Sequence, residues 1–190
     1  MIPEIAAQAI SPEGIAAGSD FYEPDILVLA TGFDAMTGAL SKIDIVGRWN
    51  LTLKEKWQDG PNTFLGLMSS GFQNLFIVTG PGSPTVLTDM IVAIEYDVKW
   101  VAEWIAHLIG VSAAYIEAAA SAEEKWRDQV SKAAEETLYT QAKSWYLAVN
   151  IPGNRAVFIP YVGGVPTYQK ICDEVATAGY RGFNIREPSN

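Results

Sequence analysis

Two residue types that build reactive sites are almost missing from this chain. Among 190 residues there is one cysteine, Cys172, and one histidine, His107. A single cysteine excludes an internal disulfide and a multi-cysteine metal centre, and it fits a reducing, cytoplasmic setting. His107 falls near the end of a helical pattern with no second ligand beside it, so it reads as a surface or capping residue rather than a metal ligand or catalyst. Long apolar runs are also lacking. None approaches the roughly 20 residues that cross a bilayer, and no basic region precedes an apolar block at the start, so the expectation is a soluble protein with no membrane partner and no targeting signal. Positive charge is sparse: 13 Lys and Arg stand against 22 Asp and Glu, for a net charge of −9. Its arginines are scattered, which argues against a nucleic-acid partner, since a phosphate backbone needs a clustered basic face. The dinucleotide fingerprint Gly-x-Gly-x-x-Gly does not occur. Gly-x-Ser-x-Gly is absent too, so Ser69-Ser70-Gly71 is no nucleophile elbow.

What is present suits one substantial core. Hydrophobic residues make up 49% of the sequence, with six tryptophans and eight tyrosines. Rings at that density line apolar pockets or interfaces, although core packing is their commoner use. No repeat, low-complexity tract or linker divides the chain, and a single unit over residues 1–190 is expected.

Residues 2–15 read as a β-hairpin around Ser11-Pro12-Glu13-Gly14. Residues 25–30 (Asp25-Ile26-Leu27-Val28-Leu29-Ala30) form an apolar run without alternation, the mark of a strand covered on both faces. It stops at Thr31-Gly32-Phe33-Asp34, the carboxyl end of a strand, where α/β proteins bind ligands. Thr52-Leu53-Lys54-Glu55 is a capping box that opens a short helix. A second buried strand, residues 75–79, leads into Gly80-Pro81-Gly82-Ser83-Pro84 and then a long amphipathic helix ending at Gly110. On that helix Met90, Ile91, Ile94, Val98, Val101, Ile105 and Leu108 recur at three- and four-residue spacing and define the expected core face, with Glu95, Asp97, Lys99 and Glu103 mostly opposite. Ser121-Ala122-Glu123-Glu124 reads as another capping box, for a helix to about residue 138 with Trp126 and Val130 on one side. Residues 157–162 read as a strand closed by Gly163-Gly164, and residues 168–178 as a last helix carrying Cys172 toward the core.

The class is α/β: an incomplete parallel sheet with flanking helices and an N-terminal hairpin. The strands at 26–30 and 75–79 call for neighbours on both edges and helices on both faces, and this chain offers few of either. It reads as part of a larger fold. A glycine-rich turn between strand and helix also offers backbone N–H groups to an electron-rich ligand. Nothing basic surrounds this one, so a phosphate is a poor match.

The residues 26–34 resemble the Ala-Thr-Gly strand end of flavoproteins that bind two dinucleotides. Gly71-Phe72-Gln73-Asn74-Leu75-Phe76, Gly80-Pro81-Gly82-Ser83-Pro84, Ser144-Trp145-Tyr146 and Asn150-Ile151-Pro152-Gly153 follow in the order found in the C-terminal portion of Baeyer–Villiger monooxygenases, the phenylacetone- and cyclohexanone-type ketone monooxygenases. The resemblance covers nearly the whole chain and roughly the last third of the family's length, judged from the two nucleotide-binding folds expected. It implies FAD and NADP as cofactors, a small-molecule ketone as substrate, and an ester or lactone as product. It implies that Thr31, Gly32, Phe33 and Asp34 border the flavin, and that Ser83, Pro84, Thr85 and Val86 border the flavin ring and substrate pocket. Leu87 and Thr88 would shape that pocket with Val86, Met90 would lie by the flavin, and Trp145 near the nicotinamide nucleotide, with Asn150 and Gly153 on the same loop. No catalytic residue is carried over, because the family's tryptophan-proline fingerprint and its active-site arginine are absent. Two other roles fit the same residues: a non-catalytic module that dimerises or meets a partner through apolar faces, and one subunit of a split oxygenase completed by an N-terminal polypeptide.

Overall fold

A computed structural model of the chain describes residues 7–28, 36–84, 88–141, 145–147 and 157–186. The chain divides into two compact units, Met1–Gly32 and Phe33–Asn190.

The first unit is an antiparallel sheet in the order β1 (Ala7–Ser11), β2 (Gly14–Ala17), β3 (Asp20–Tyr22). Pairing of Ser11 with Gly14 and Ile10 with Ile15 closes the expected hairpin around Pro12 and Glu13. Gly14 is required there, since a Cβ would sit 2.3 Å from the Tyr22 carbonyl oxygen. The following turn at Gly18 adds a third strand that the sequence reading did not foresee.

In the second unit, α1 (Gly38–Ser41) and α2 (Leu53–Lys56) are single turns. The capping box at α2 forms as expected: Thr52 Oγ1 accepts the Glu55 N–H at 3.1 Å and Glu55 Oε2 accepts the Thr52 N–H at 2.9 Å. The long helix α3 (Met90–Gly110) begins at Asp89, whose carboxylate accepts from the N–H groups of Ile91 and Val92. Helix α4 (Ala120–Glu135) does not use the predicted Ser121 cap. Its N-cap is Ala119, without a side-chain hydrogen bond. The entry point is set instead by a pair of short antiparallel strands, β4 (Tyr115–Ala118) and β5 (Phe183–Arg186), because the Ala119 N–H donates to the Gly182 carbonyl just beyond that ladder. An alanine-rich stretch hides β4 in the sequence. Helix α5 (Val165–Thr177) starts after Gly164, which has φ +84°, with proline in its first turn.

Helices and small open sheets accord with the α/β expectation, yet every described strand pair is antiparallel. Residues 26–28 and 75–79 belong to no strand, and Ile26 and Val28 are exposed; Leu29 and Ala30 lie outside the described residues. Residues 157–162 likewise join no ladder. A buried parallel strand exists only between two partners, and none is present for them among the described residues.

The main core gathers Phe64, Trp100, Trp104, Ile116, Trp126, Tyr161, Tyr168 and Cys172. Trp104 stacks on Tyr180 with centroids 5.1 Å apart and lies 4.0 Å from the Phe183 ring. Leu53, Trp57, Phe72 and Ile77 form a second, smaller cluster. These rings turn α3 away from the orientation its periodicity predicts. Its buried residues are Ala93, Asp97, Trp100, Val101 and Trp104. Ile91, Ile94, Val98 and Ile105 of the expected core face are exposed, and Asp97, expected outside, is inside. Indoles bury more area than aliphatic side chains, and among the described residues the tryptophan face of the helix is the one that is buried.

Cys172 faces the core as expected, fully buried, and burial pushes its thiol up to about 12. It is therefore expected to stay unreactive toward a disulfide reagent at pH 8 and to titrate as one thiol once urea unfolds the chain.

Candidate functional site

The turn from Gly80 to Pro84 is buried and its polar groups are used internally. The Gly82 N–H donates to the Ile159 carbonyl, the Ser83 N–H to the Gly80 carbonyl at 3.0 Å, and the Tyr161 N–H to the Ser83 carbonyl at 2.9 Å. Trp126 Nε1 donates to the Gly82 carbonyl at 3.1 Å, the Thr63 hydroxyl to the Pro81 carbonyl, and Ser83 Oγ to the Gly80 carbonyl at 2.8 Å. Its glycines serve this packing. A Cβ on Gly80 would lie 2.4 Å from the Gly66 carbonyl oxygen, and one on Gly82 would lie 2.9 Å from Trp126 Nε1. At the start of α3 the Asp89 cap takes the N–H groups of Ile91 and Val92. Neither the turn nor that helix end has the free N–H array that a pyrophosphate requires. What the turn presents is a backbone whose polar groups are largely paired within the fold.

Ile159 links two motifs that lie more than 60 residues apart. Its carbonyl accepts from Gly82 while its N–H donates to the Tyr146 carbonyl at 2.9 Å, and the Val157 N–H donates to the Leu147 carbonyl at 3.1 Å. The short 3-10 turn Trp145–Leu147 is thereby held one segment away from the Gly80–Pro84 turn. Residues 157–161, expected as a sheet strand, act as this tie.

Of the residues singled out from the sequence, Ser83 and Pro84 are buried in the turn, and Thr88 and Met90 are half-buried at the start of α3. Trp145 lies in the 3-10 turn. Thr31, Gly32, Phe33, Asp34, Thr85, Val86, Leu87, Asn150 and Gly153 lie outside the described residues. His107 is in the last turn of α3, exposed, where the helix dipole favours it.

Sequence reasoning missed the buried carboxylates that brace this region. Asp97 Oδ2 accepts the Thr79 N–H at 2.9 Å, directly before the turn, at a residue held at φ +51°. A β-branched residue rarely adopts that conformation, so the buried acceptor helps to fix it. The Tyr168 hydroxyl lies 3.0 Å from Asp97 Oδ1 and 2.8 Å from the Leu65 carbonyl oxygen. One phenolic proton serves one of these acceptors fully. When Asp97 carries its own proton it donates to the phenol, and the phenol donates to Leu65. Burial pushes the Asp97 carboxyl up to about 6, against the lowering pull of Thr79 and Tyr168. A carboxyl with a raised native pKa keeps its proton after the unfolded chain has lost its own, so its contribution is greatest below about pH 4 and declines until the pH passes 6. Asp97→Asn should abolish that decline. The stability of the native chain relative to the variant is expected to fall by about 2 kcal/mol between pH 4 and pH 7, taking about 1.4 kcal/mol per pKa unit, as urea unfolding at a series of pH values would show.

No protein-family model matches the chain. A 2-oxo-Δ3-4,5,5-trimethylcyclopentenylacetyl-CoA monooxygenase of Pseudomonas putida is 34% identical over 187 residues, which are 97% of this chain and 34% of that protein. Among solved structures, an oxidised steroid monooxygenase bound to NADP is 46% identical with a TM-score of 0.80, covering 97% of this chain and 34% of the other. The complex of OTEMO with FAD and NADP is 34% identical with a TM-score of 0.82, covering 96% and 33%. The chain spans about a third of the length of the relatives it matches.

Proposed function

We propose that this chain, which matches about a third of each monooxygenase relative over nearly its own whole length, is the C-terminal portion of a flavin-dependent Baeyer–Villiger monooxygenase and forms the flavin-side and substrate-side wall of such an enzyme, which acts on a ketone to give an ester or lactone. The observation that carries this reading is the tie through Ile159, which fixes the Gly80–Pro84 turn beside the Trp145 turn with the turn's backbone already satisfied. A wall of that kind holds its shape without spending its rigidity on the ligand, as a preorganised site requires.

When bound, FAD reduced by NADPH would supply the oxygen-transfer chemistry. The chain's own residues orient and exclude water. By the resemblance, Ser83, Pro84, Thr85, Val86 and Met90 would border the flavin ring, and Thr31, Gly32, Phe33 and Asp34 would border the flavin. Val86, Leu87 and Thr88 would shape an apolar ketone pocket, and Trp145 would stand by the nicotinamide nucleotide. The chain holds no candidate catalytic residue. These 190 residues span about a third of the relatives and carry no Gly-x-Gly-x-x-Gly, so the nucleotide-binding part of such an enzyme is not among them.

Absorbance at 450 nm after gel filtration tests the reading. The chain alone with FAD is expected to elute colourless, and the chain mixed with the N-terminal two thirds of the steroid monooxygenase is expected to co-elute with flavin. Stoichiometric FAD on the chain alone, or a colourless complex with that polypeptide, would sink it.

A further inference from the structure

Two non-glycine residues with left-handed backbone flank the Gly80–Pro84 turn. Thr79, at φ +51°, leads directly into it. Leu65, at φ +59°, is fully buried beside it and is followed by Gly66. That glycine packs on the turn so closely that a Cβ added to it would sit 2.7 Å from the Ser83 nitrogen, and its carbonyl oxygen leaves no room for a Cβ on Gly80. Side chains other than glycine disfavour this backbone, which persists where the surroundings over-determine it. One buried pair reaches both flanks. Asp97 Oδ2 accepts the Thr79 N–H at 2.9 Å, Asp97 Oδ1 lies 3.0 Å from the Tyr168 hydroxyl, and that hydroxyl lies 2.8 Å from the Leu65 carbonyl oxygen. Asp97 and Tyr168 are 1% and 2% exposed, so water is a poor substitute for any of these bonds.

We propose that Asp97 and Tyr168 are positioning residues for the flavin-side wall, and that the proton on Asp97 decides which flank of the Gly80–Pro84 turn is held. That the turn faces a flavin rests on the functional reading above; the coupling is a property of this chain's own residues. Without its proton, Asp97 accepts on both oxygens and draws the Thr79 N–H and the phenolic hydrogen, each bond strengthened by the charge. The Leu65 carbonyl then gives up its donor. With its proton, Asp97 donates to the phenol, the phenol donates to Leu65, and Thr79 keeps only an uncharged acceptor. Gain of the proton therefore moves the grip from the Thr79 flank to the Leu65 flank. Burial pushes the Asp97 carboxyl up to about 6, which centres the exchange there. The titratable groups around it are Tyr96 on α3 and Tyr168, Cys172 and Asp173 on α5, with Asp173 accepting from the Tyr96 hydroxyl at 2.9 Å. Burial raises both phenols and pushes the Cys172 thiol up to about 12, so these three keep their protons while Asp97 titrates.

Amide NMR of the 190-residue chain across this pH range tests the coupling. The Thr79 amide proton is expected to move downfield as pH rises, with a midpoint at about 6, because its acceptor gains charge. The Gly82 and Ser83 amides, whose bonds to Ile159 and Gly80 shape the turn, should titrate with the same midpoint. Asp97→Asn reproduces the protonated pattern, an oxygen for Thr79 and a donor for the phenol, and should abolish all three titrations. Asp97→Ala removes the acceptor. Relative to the buried Val130 amide of α4, which follows global stability, the Thr79, Gly82 and Ser83 amides should then exchange with solvent at least about tenfold faster than in Asp97→Asn. The titration needs no variant, so an Asp97→Ala chain that misfolds leaves the test standing. A Thr79 amide that does not titrate overturns the proposal, and so does a titration that persists in Asp97→Asn and therefore belongs to Asp173. Movement confined to Thr79, with Gly82 and Ser83 fixed, also overturns it, as does equal relative exchange in the two variants. Flavin enters none of these readouts. Their failure leaves the functional reading untouched, and a failed FAD experiment leaves the coupling untouched.

Discussion

Glu123→Ala is expected to cost the chain about 3–5 kcal/mol, the range for breaking a buried ion pair from one side. Glu123 is 1% exposed on α4, and its carboxylate is the meeting point of four groups from another part of the chain. Lys56 Nζ lies 3.0 Å from Oε2, Ser70 Oγ donates to Oε2 at 2.7 Å, and Ser69 Oγ and the Ser70 N–H donate to Oε1. Alanine would leave the ammonium, two hydroxyls and a backbone N–H competing for fewer acceptors in a site where water replaces them poorly. Glu123→Gln keeps both acceptor positions in part and brings in donors that face other donors, so a smaller loss, still above about 1 kcal/mol, is expected. Urea unfolding monitored by tryptophan fluorescence would measure both. If Glu123→Ala costs no more than an exposed substitution such as Glu124→Ala, the buried pair does not hold α4 to the Ser69–Ser70 segment.

Trp104→Ala is the other large effect, about 3–5 kcal/mol from lost transfer energy and the cavity left behind. Trp104 is fully buried and touches Phe76, Trp100, Tyr180 and Phe183 ring to ring. Its indole nitrogen, however, is buried without a hydrogen-bond partner. Phenylalanine keeps most of the ring contact and removes that unmet donor, whose burial costs about 1–3 kcal/mol. Trp104→Phe is therefore expected to lie within about 1.5 kcal/mol of the parent chain, far from the alanine value. Near-equal losses for the two variants would show that indole volume alone decides the site.

Local signals with a local cause were legible. The Thr52–Glu55 capping box, the hairpin around Pro12 and Glu13 and the end of α3 at Gly110 each depend on residues within a few positions and are found where the pattern puts them, while the last helix, expected from residue 168, begins three residues earlier at Val165. Motif order also identified the family relationship, which no single strand-end triplet would have carried. The Ser121 capping box failed because a distant contact, Ala119 to Gly182, fixed the helix start two residues earlier. The bracing carboxylates were illegible for a related reason: Asp97 and Glu123 have unremarkable neighbours in sequence, and their partners lie 18 to 71 residues away.

The sequence by itself determined that α3 exists, how long it is, and that it carries more apolar residues than one face needs. Only the tertiary structure decided which face is the core, because that choice depends on what the rest of the chain offers. Trp100 and Trp104 find Tyr180 and Phe183, while Ile91, Ile94, Val98 and Ile105 stay exposed. The same holds for the Gly80–Pro84 turn. Its glycines announced a tight connection, and the fold showed that their lack of side chains is taken up by Gly66 and Trp126, leaving a stiff wall rather than a set of free donors.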